Sequence, residues 1–286
     1  MSTPVPFRAP IDPAPLTLDV GIRCADDVRA DEDLLRRGSA AIRVAVLGDR
    51  ALSVGAAARP SMEFLDRAQA EGWPIVRRDS GGSAVLHAPG DLAWTLIIPR
   101  ADPRLGRDYV RRYDRFGNGV VRFLEAEGIS SRWGEPPGLA TTYCLLGARG
   151  SVLRVDGRIL GGAAQHLSLR ALLHHGILPR TLDRPALARL FGLSSGTGLD
   201  RLTSLEELGL REPSEVLAER LARALFEEWN GTAESVGHDG RADQSASAAS
   251  SASERIESHS PRTRERSRTT GAPSTNTEST ASSDAE

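Results

Sequence analysis

Two periodicities in the apolar positions divide this chain into helices and strands. "DVRADEDLLRRG" (27–38) has helical spacing, with Val28, Leu34 and Leu35 on one face. "SMEFLDRAQAEG" (61–72) is a second helix, with Ser61 as N-cap, Glu63 in its first turn and Gly72 as its stop. "YVRRYDRFGNGVVRFLEAEG" (109–128) is a longer helix ending at Gly128. "SEVLAERLARALFEEW" (214–229) is a last one, capped at Ser214. Strands are predicted at "AIRVAVLG" and "ALSVGAA", separated by the turn "GDR", and at "WPIVRR", "AVLH" and "LAWTLIIP". "SVLRVDGRILGGAAQHL" is a hairpin turning at Asp156-Gly157, and "ALLHHGILPR" is a further strand. Strands with interspersed helices and several hairpins predict an α+β fold, a mixed β-sheet with packed helices.

The ends of the chain lack this pattern. Residues 1–15 form a Pro-rich lead, expected to be disordered. From Gly231 to Glu286 the chain is mostly Ser, Thr, Ala, Arg, Asp and Glu, with almost nothing large and apolar to bury. A disordered Ser/Thr/Arg-rich tail is expected there, leaving 16–230 as one domain.

Composition narrows the function. Of 286 residues 36 are basic, and every one is arginine; the chain has no lysine. Chemistry that needs a lysine amine therefore requires a replacement here. Net charge is −2, the arginines are interspersed with acids, and 5% of residues are aromatic, which argues against a nucleic-acid surface. No apolar run approaches the roughly 20 residues of a membrane span. Two cysteines, Cys24 and Cys144, do not make a disulfide framework and point to a reducing, cytoplasmic setting. Cys24 is treated as incidental. No metal site is expected.

Three clusters carry candidate chemistry. In "RRDSGGSAVLHAPGD", Gly81 and Gly82 open the main chain to a ligand, and their bare amides suit an anion or a carbonyl oxygen. Arg77 and Arg78 add charge, but neighbours on a strand face opposite sides, so one of them at most reaches the ligand. His87 follows on the next strand. In "VDGRILGGAAQ", the small residues 161–164 leave a groove for a narrow apolar chain. The third cluster is "LHHGIL". Taken singly, a turn explains the first and a core histidine the third.

Together, in this order, the clusters resemble the lipoate–protein ligase, octanoyltransferase and biotin protein ligase superfamily. Its Arg-Arg…Ser/Thr-Gly-Gly…Ala-Val-x-His pattern is met by Arg77, Arg78, Ser80, Gly81, Gly82, Ala84, Val85 and His87. Its hairpin pattern is met in part by Gly157, Arg158, Gly162 and Ala164, and its His-Gly by His175 and Gly176. The resemblance covers about residues 20–230. It implies a biotin/lipoate ligase-like catalytic domain in which the Gly-Gly block lines the site of a lipoyl or octanoyl chain.

The departures are as informative. Ile159 stands where the pattern has lysine, and isoleucine neither donates a hydrogen bond nor holds charge. Arg158 replaces the lysine only if a bulge re-aims it. Ser151 and Val152 stand where the ligases of the family carry an Asn-Asp pair used with magnesium, and valine cannot ligate a hard cation. Ala56, Ala57 and Ala58, with Arg59 displaced, stand where Gly-Arg-x-Gln is usual. Cys144 lies in the loop region where one octanoyltransferase subgroup carries a nucleophile.

Three activities stay open. The first is an octanoyl or lipoyl transferase working through Cys144, with Arg158 assisting. Its donor would be an acyl carrier protein, and its acceptors lipoyl-domain proteins such as glycine cleavage H protein and E2 subunits. It needs no bound cofactor, lipoate or octanoate being the transferred group. The second is a lipoate–protein ligase, which alone would use ATP and magnesium. The third is a non-catalytic protein that binds an acyl ligand or a lipoyl domain.

Overall fold

The computed structural model describes residues 17–23, 28–105, 108–147 and 150–246. In chain order the elements are β1 (Thr17–Arg23), α1 (Val28–Arg37), β2 (Ala41–Leu47), β3 (Ala51–Gly55), α2 (Met62–Ala70), β4 (Ile75–Arg78), β5 (Ala84–His87), β6 (Leu92–Pro99), α3 (Tyr109–Ala126), β7 (Arg132–Gly134), β8 (Ser151–Val155), β9 (Arg158–Leu167), β10 (Ala171–Leu178), α4 (Arg184–Phe191) and α5 (Ser214–Ala246). The chain divides into two units, Met1–Arg241 and Ala242–Glu286. Both sheets lie in the first unit; of the second, only residues 242–246 at the end of α5 are described. The lead 1–15, Cys24 and the tail beyond residue 246 lie outside the described residues.

Among the described residues the strands form two sheets. One has seven strands in the order β1-β2-β6-β10-β9-β8-β7, and the other has three, β4-β3-β5. Each sheet contains one parallel pair, β1 with β2 and β3 with β4. The fold is α+β as expected, with mixed pairing in two sheets rather than one. β2 and β3 look like a hairpin in sequence, yet they belong to different sheets. Their alternation is the same either way; sheet membership depends on partners distant in sequence.

Strand alternation sets the layers of the large sheet. Ile42, Val44 and Val46 face one way with Leu92, Trp94, Leu96 and Ile98, against Tyr113, Phe116, Val120 and Phe123 of α3 and Leu217, Leu221 and Leu225 of α5. Arg43, Ala45 and Leu47 are left for the opposite face. The small sheet packs Leu52, Val54, Ala84 and Leu86 against Phe64 and Ala68 of α2 and Ala186, Leu187 and Leu190 of α4.

Local signals explain most boundaries. Ser61 Oγ accepts from Phe64 N, capping α2. Asp156 and Gly157 both have positive φ, 48° and 80°, the requirement of a tight two-residue hairpin. One expectation is corrected. Ser214 is the first residue of α5 rather than a cap, and its hydroxyl donates to Gly90 O at 2.8 Å. α5 runs on to Ala246. Once a helix is nucleated, each further residue adds a hydrogen bond at small cost, even without an apolar face.

Candidate functional site

The Gly-Gly block follows β4 directly, and the two arginines before it part company. Arg77 is exposed and its Nη1 donates to the carbonyls of Gly55 and Ala56 at 3.1 and 3.2 Å. Arg78 is 6% exposed and turns inward. Its Nη1 donates to Ser53 Oγ, and its Nη2 to the carbonyls of Gly81 and Ser83, each at 3.0 Å. Glycine is required here by close backbone approach. A β-carbon on Gly55 would meet Gly82 O at 2.1 Å, and Gly82 has φ of 93°.

His87 of β5 places Nε2 2.7 Å from the same Ser53 hydroxyl. Burial, then the charges of Arg78 and His175, push its pKa down to about 3. His87 is therefore neutral at physiological pH. Arg78 donates to the same Ser53 hydroxyl, so Ser53 links the two side chains.

Cys144, a free cysteine, begins a 3-10 turn over Cys144–Leu146. The residue before it fixes its place. Tyr143 forms an isolated bridge with Ala84 of β5, Ala84 N donates to Thr142 O at 2.9 Å, and the Tyr143 ring is buried against Phe191. Cys144 Sγ thereby reaches the Gly-Gly block. A β-carbon on Gly82 would lie 2.6 Å from that sulfur and 2.9 Å from Arg78 Nη2.

The floor is the open face of the large sheet, crossed by two rungs of residues in register. One rung is polar: Arg43, Thr95, His175 and Ala164 lie side by side on β2, β6, β10 and β9. The next is apolar: Ala45, Ala93, Ile177, Gly162 and, on β8, Val152. Four strands span about 14 Å. The cavity above them is about 120 Å³, and Leu47, Val85 and Leu145 complete its apolar wall. It is narrow, small-residue-lined and apolar along one side, and Arg78, His87 and Cys144 lie on its lining.

The polar rung is held from α1. Asp31 Oδ1 takes Arg43 Nη1 at 2.5 Å, and its Oδ2 accepts from Thr95 Oγ1 at 2.7 Å. His175 Nδ1 stands 3.8 Å from Asp31 Oδ2, and its Nε2 2.6 Å from Ser80 Oγ. The Gly-Gly block is thus hydrogen-bonded to the sheet through Ser80. The neighbouring His174 points the opposite way into the core, fully buried between Trp94 and Tyr113. One of the two histidines in "LHHG" is structural, the other lines the cavity.

Of the residues singled out by sequence, Arg78, His87, Cys144, Gly162, Ala164, His175 and Gly176 line this cavity. Ser80 adjoins it through its bond to His175, Gly81 through its carbonyl on Arg78, and Gly82 through its closeness to the Cys144 sulfur. Gly157 and Arg158 do not. Gly157 sits at the hairpin turn, where an added β-carbon would meet open space, and Arg158 Nη1 faces Glu207 at 3.5 Å. A β-bulge does exist in this hairpin, between Leu153 and Arg154, but it leaves Arg158 paired with Val155, and Arg158 is not on the lining. Ile159 is fully buried, in the cluster with Leu145, Val152 and Leu202.

Sequence reasoning missed Asp31, Arg43, Ser53 and Thr95. Arg43 and Thr95 had a signal: each is a polar residue inside an otherwise apolar strand. Asp31, on a polar-looking helix, had none.

The ligase alternative implied by the resemblance would use ATP and magnesium. Magnesium favours carboxylate and water oxygens in octahedral array. Here Val152 has no donor, the Ser151 hydroxyl is directed to Gly134 O, and Asp31 is engaged by Arg43 and Thr95. These residues do not fit a magnesium-nucleotide site.

Residues 31–226 match the model of the lipoyl protein ligase A/B catalytic domain. An octanoyltransferase LipM of Exiguobacterium sp. is 29% identical over 167 residues, 55% of this chain and 60% of that protein. The LipM of Kyrpidia tusciae is 28% identical over 200 residues, 65% and 72% of the two chains. The chain thus spans about 60% of the first of these relatives and more of the second. A crystal structure of lipoate-protein ligase A bound with ATP has the same fold, with a TM-score of 0.60 at 20% identity over 76% of this chain and 85% of the other. So has a bipartite lipoate protein ligase of Thermoplasma acidophilum, described with its E2 lipoyl domain, with a TM-score of 0.59 at 19% identity over 75% and 83%.

Proposed function

Because this chain belongs to the lipoyl protein ligase A/B catalytic-domain family, we propose that it transfers an octanoyl or lipoyl group from a carrier thioester, through Cys144, to a lysine amine of a lipoyl-domain protein. The observation that carries this is the position of Cys144: its sulfur lies against Gly82 and beside Arg78, on the lining of an apolar cavity. A thiol is a good acceptor for an acyl group already activated as a thioester. In the first half-reaction the Cys144 sulfur bonds to the acyl carbon and the carrier sulfur leaves, taking up the proton that Cys144 lost. In the second, the acceptor amine displaces Cys144, which regains a proton as the amide forms.

Several features support transfer over ATP-dependent ligation. Val152, Ser151 and the engaged Asp31 do not suit a magnesium-nucleotide site. The apolar rung offers a bed for a saturated chain, and the named relatives are octanoyltransferases. Acyl carrier protein is the proposed donor. H protein and E2 lipoyl domains are the proposed acceptors, the T. acidophilum ligase having an E2 lipoyl domain as its own. The chain acts without a bound cofactor. No helix among the described residues is long and apolar enough to cross a membrane.

The test is intact-mass analysis after incubation with octanoyl-carrier protein. With no lysine to acylate, a hydroxylamine-labile octanoyl adduct reports a thioester. It is expected on the wild type and on Cys24→Ser, and absent from Cys144→Ser. Equal labelling of wild type and Cys144→Ser, or none of the wild type, rules the proposal out.

A further inference from the structure

Three arginines among the described residues are buried: Arg43, Arg78 and Arg104. Two have a carboxylate. Arg43 pairs with Asp31, and Arg104 with Asp102. Arg78 has no carboxylate; it donates to a hydroxyl and two carbonyls, all neutral, and Cys144 lies beside it. A buried cation without a counter-charge is unfavourable unless something offsets it. Burial works against the charge on Arg78, and the contact that opposes this is Cys144, within hydrogen-bonding and Coulomb reach.

The guanidinium also has capacity to spare. It carries five N–H groups in a fixed planar fork; its bonds to Ser53, Gly81 and Ser83 occupy one on Nη1 and both on Nη2, leaving the Nε hydrogen and one on Nη1. Those bonds hold the fork still, so little further ordering is needed when an acceptor arrives. The sulfur of Cys144 and Nη2 of Arg78 approach the same point over Gly82, at 2.6 and 2.9 Å, so they are no more than about 5.5 Å apart, the sum of the two. A carbonyl attacked by that sulfur has its oxygen within reach of that fork. The cavity's other cation, Arg43, is engaged by Asp31.

We propose that Arg78 is a catalytic residue of the transfer: its guanidinium holds the negative oxygen that forms when Cys144 adds to the acyl carbonyl. This rests on the acyl transfer proposed for Cys144. As the S–C bond forms, the carbonyl π pair moves onto oxygen, beside Arg78. When the carbonyl re-forms, the carrier sulfur leaves and takes the proton given up by the Cys144 thiol. The same oxygen becomes negative again when the acceptor amine adds, so one residue serves both half-reactions. Arg78 contributes most where the negative charge is greatest, which is the condition for raising the rate rather than only the affinity.

The experiment compares wild type, Arg78→Met and Arg78→Lys in single-turnover acylation by octanoyl-carrier protein, followed by intact mass. In parallel, binding is measured to a carrier bearing the octyl chain through a thioether, which has no carbonyl. Arg78→Met is expected to acylate about 100- to 1,000-fold more slowly while binding the thioether carrier within about threefold of wild type. Arg78→Lys is expected to recover part of the rate. Acylation of Arg78→Met within tenfold of wild type overturns the inference. So does an equal fall in rate and in thioether binding, which makes Arg78 only a brace for residues 81–83. A wild type that forms no thioester removes the transfer reaction itself, a result distinct from either.

Discussion

Cys144 and Gly82 are placed so that neither tolerates a larger partner: a single β-carbon on Gly82 falls 2.6 Å from the Cys144 sulfur. The cysteine therefore sees main chain where another residue type would interpose a side chain.

Gly82→Ala is expected to disturb the site in two ways. Alanine at φ of 93° is strained, by roughly 1–3 kcal/mol, and its methyl pushes on Cys144. Chemical denaturation should show the loss of stability, and alkylation of Cys144 by a small thiol reagent should change rate by about tenfold or more. A variant with wild-type stability and wild-type labelling means that the Gly82–Cys144 contact is not present in solution.

Arg158→Ala separates this site from one in which Arg158 replaces the missing lysine. Arg158 is partly exposed and paired with Glu207, a contact of about 0–1 kcal/mol. Thioester formation is expected to change less than about threefold. A fall of about 100-fold would return Arg158 to the reaction.

His174 gives a pH signature. Burial, then the charge of His175, pushes its pKa down to about 3, against an ordinary 6.5. Between those values the unfolded chain binds a proton that the folded chain refuses, so stability falls as pH is lowered through that window, by about 1.4 kcal/mol per pH unit. His174→Leu removes this term. The wild-type advantage over the variant should shrink by ~2 kcal/mol from pH 6 to pH 4.5; a constant difference would mean that His174 is not buried neutral.

Asp91 acts with the opposite sign. Its buried carboxyl accepts from Ala88 N and Arg180 N, and burial raises its pKa to about 7 from 3.8. Between these values the folded chain keeps a proton that the unfolded chain releases, so its contribution is full at low pH and is lost as pH rises toward 7. Unfolding of Asp91→Asn, measured at pH 4 and pH 7, should show the wild type losing ground to the variant as pH rises. In the wild type the His174 and Asp91 terms oppose one another from pH 4 to 6.5, so paired comparisons reveal them better than one pH profile.

The sequence made elements legible where the signal is local. Ser61 as cap, Asp156-Gly157 as turn and the Gly-Gly block all depend on a few neighbouring residues. What it concealed depends on partners far along the chain. β2 and β3 read as one hairpin and lie in separate sheets. Arg43, Thr95 and His175 come from three strands and become a rung only when those strands pair, with Asp31 arriving from a helix. Arg158 is adjacent to the lysine position in sequence and two turns of the pleat from Gly162, yet the register shift between them, opposite Leu153 and Arg154, puts it on the other face and off the cavity lining.

The cavity floor has a consequence for altering what it accepts. At Gly176, on the lining, a β-carbon would meet Gly162 O at 2.5 Å. That position is closed by a peptide group of the neighbouring strand, so enlarging it moves the sheet instead of trimming the hollow. Adjustable space belongs to Ala45, Ala93 and Ala164, whose methyl groups line the cavity. Selection for a shorter or bulkier guest has three small handles here, set in a bed that does not bend.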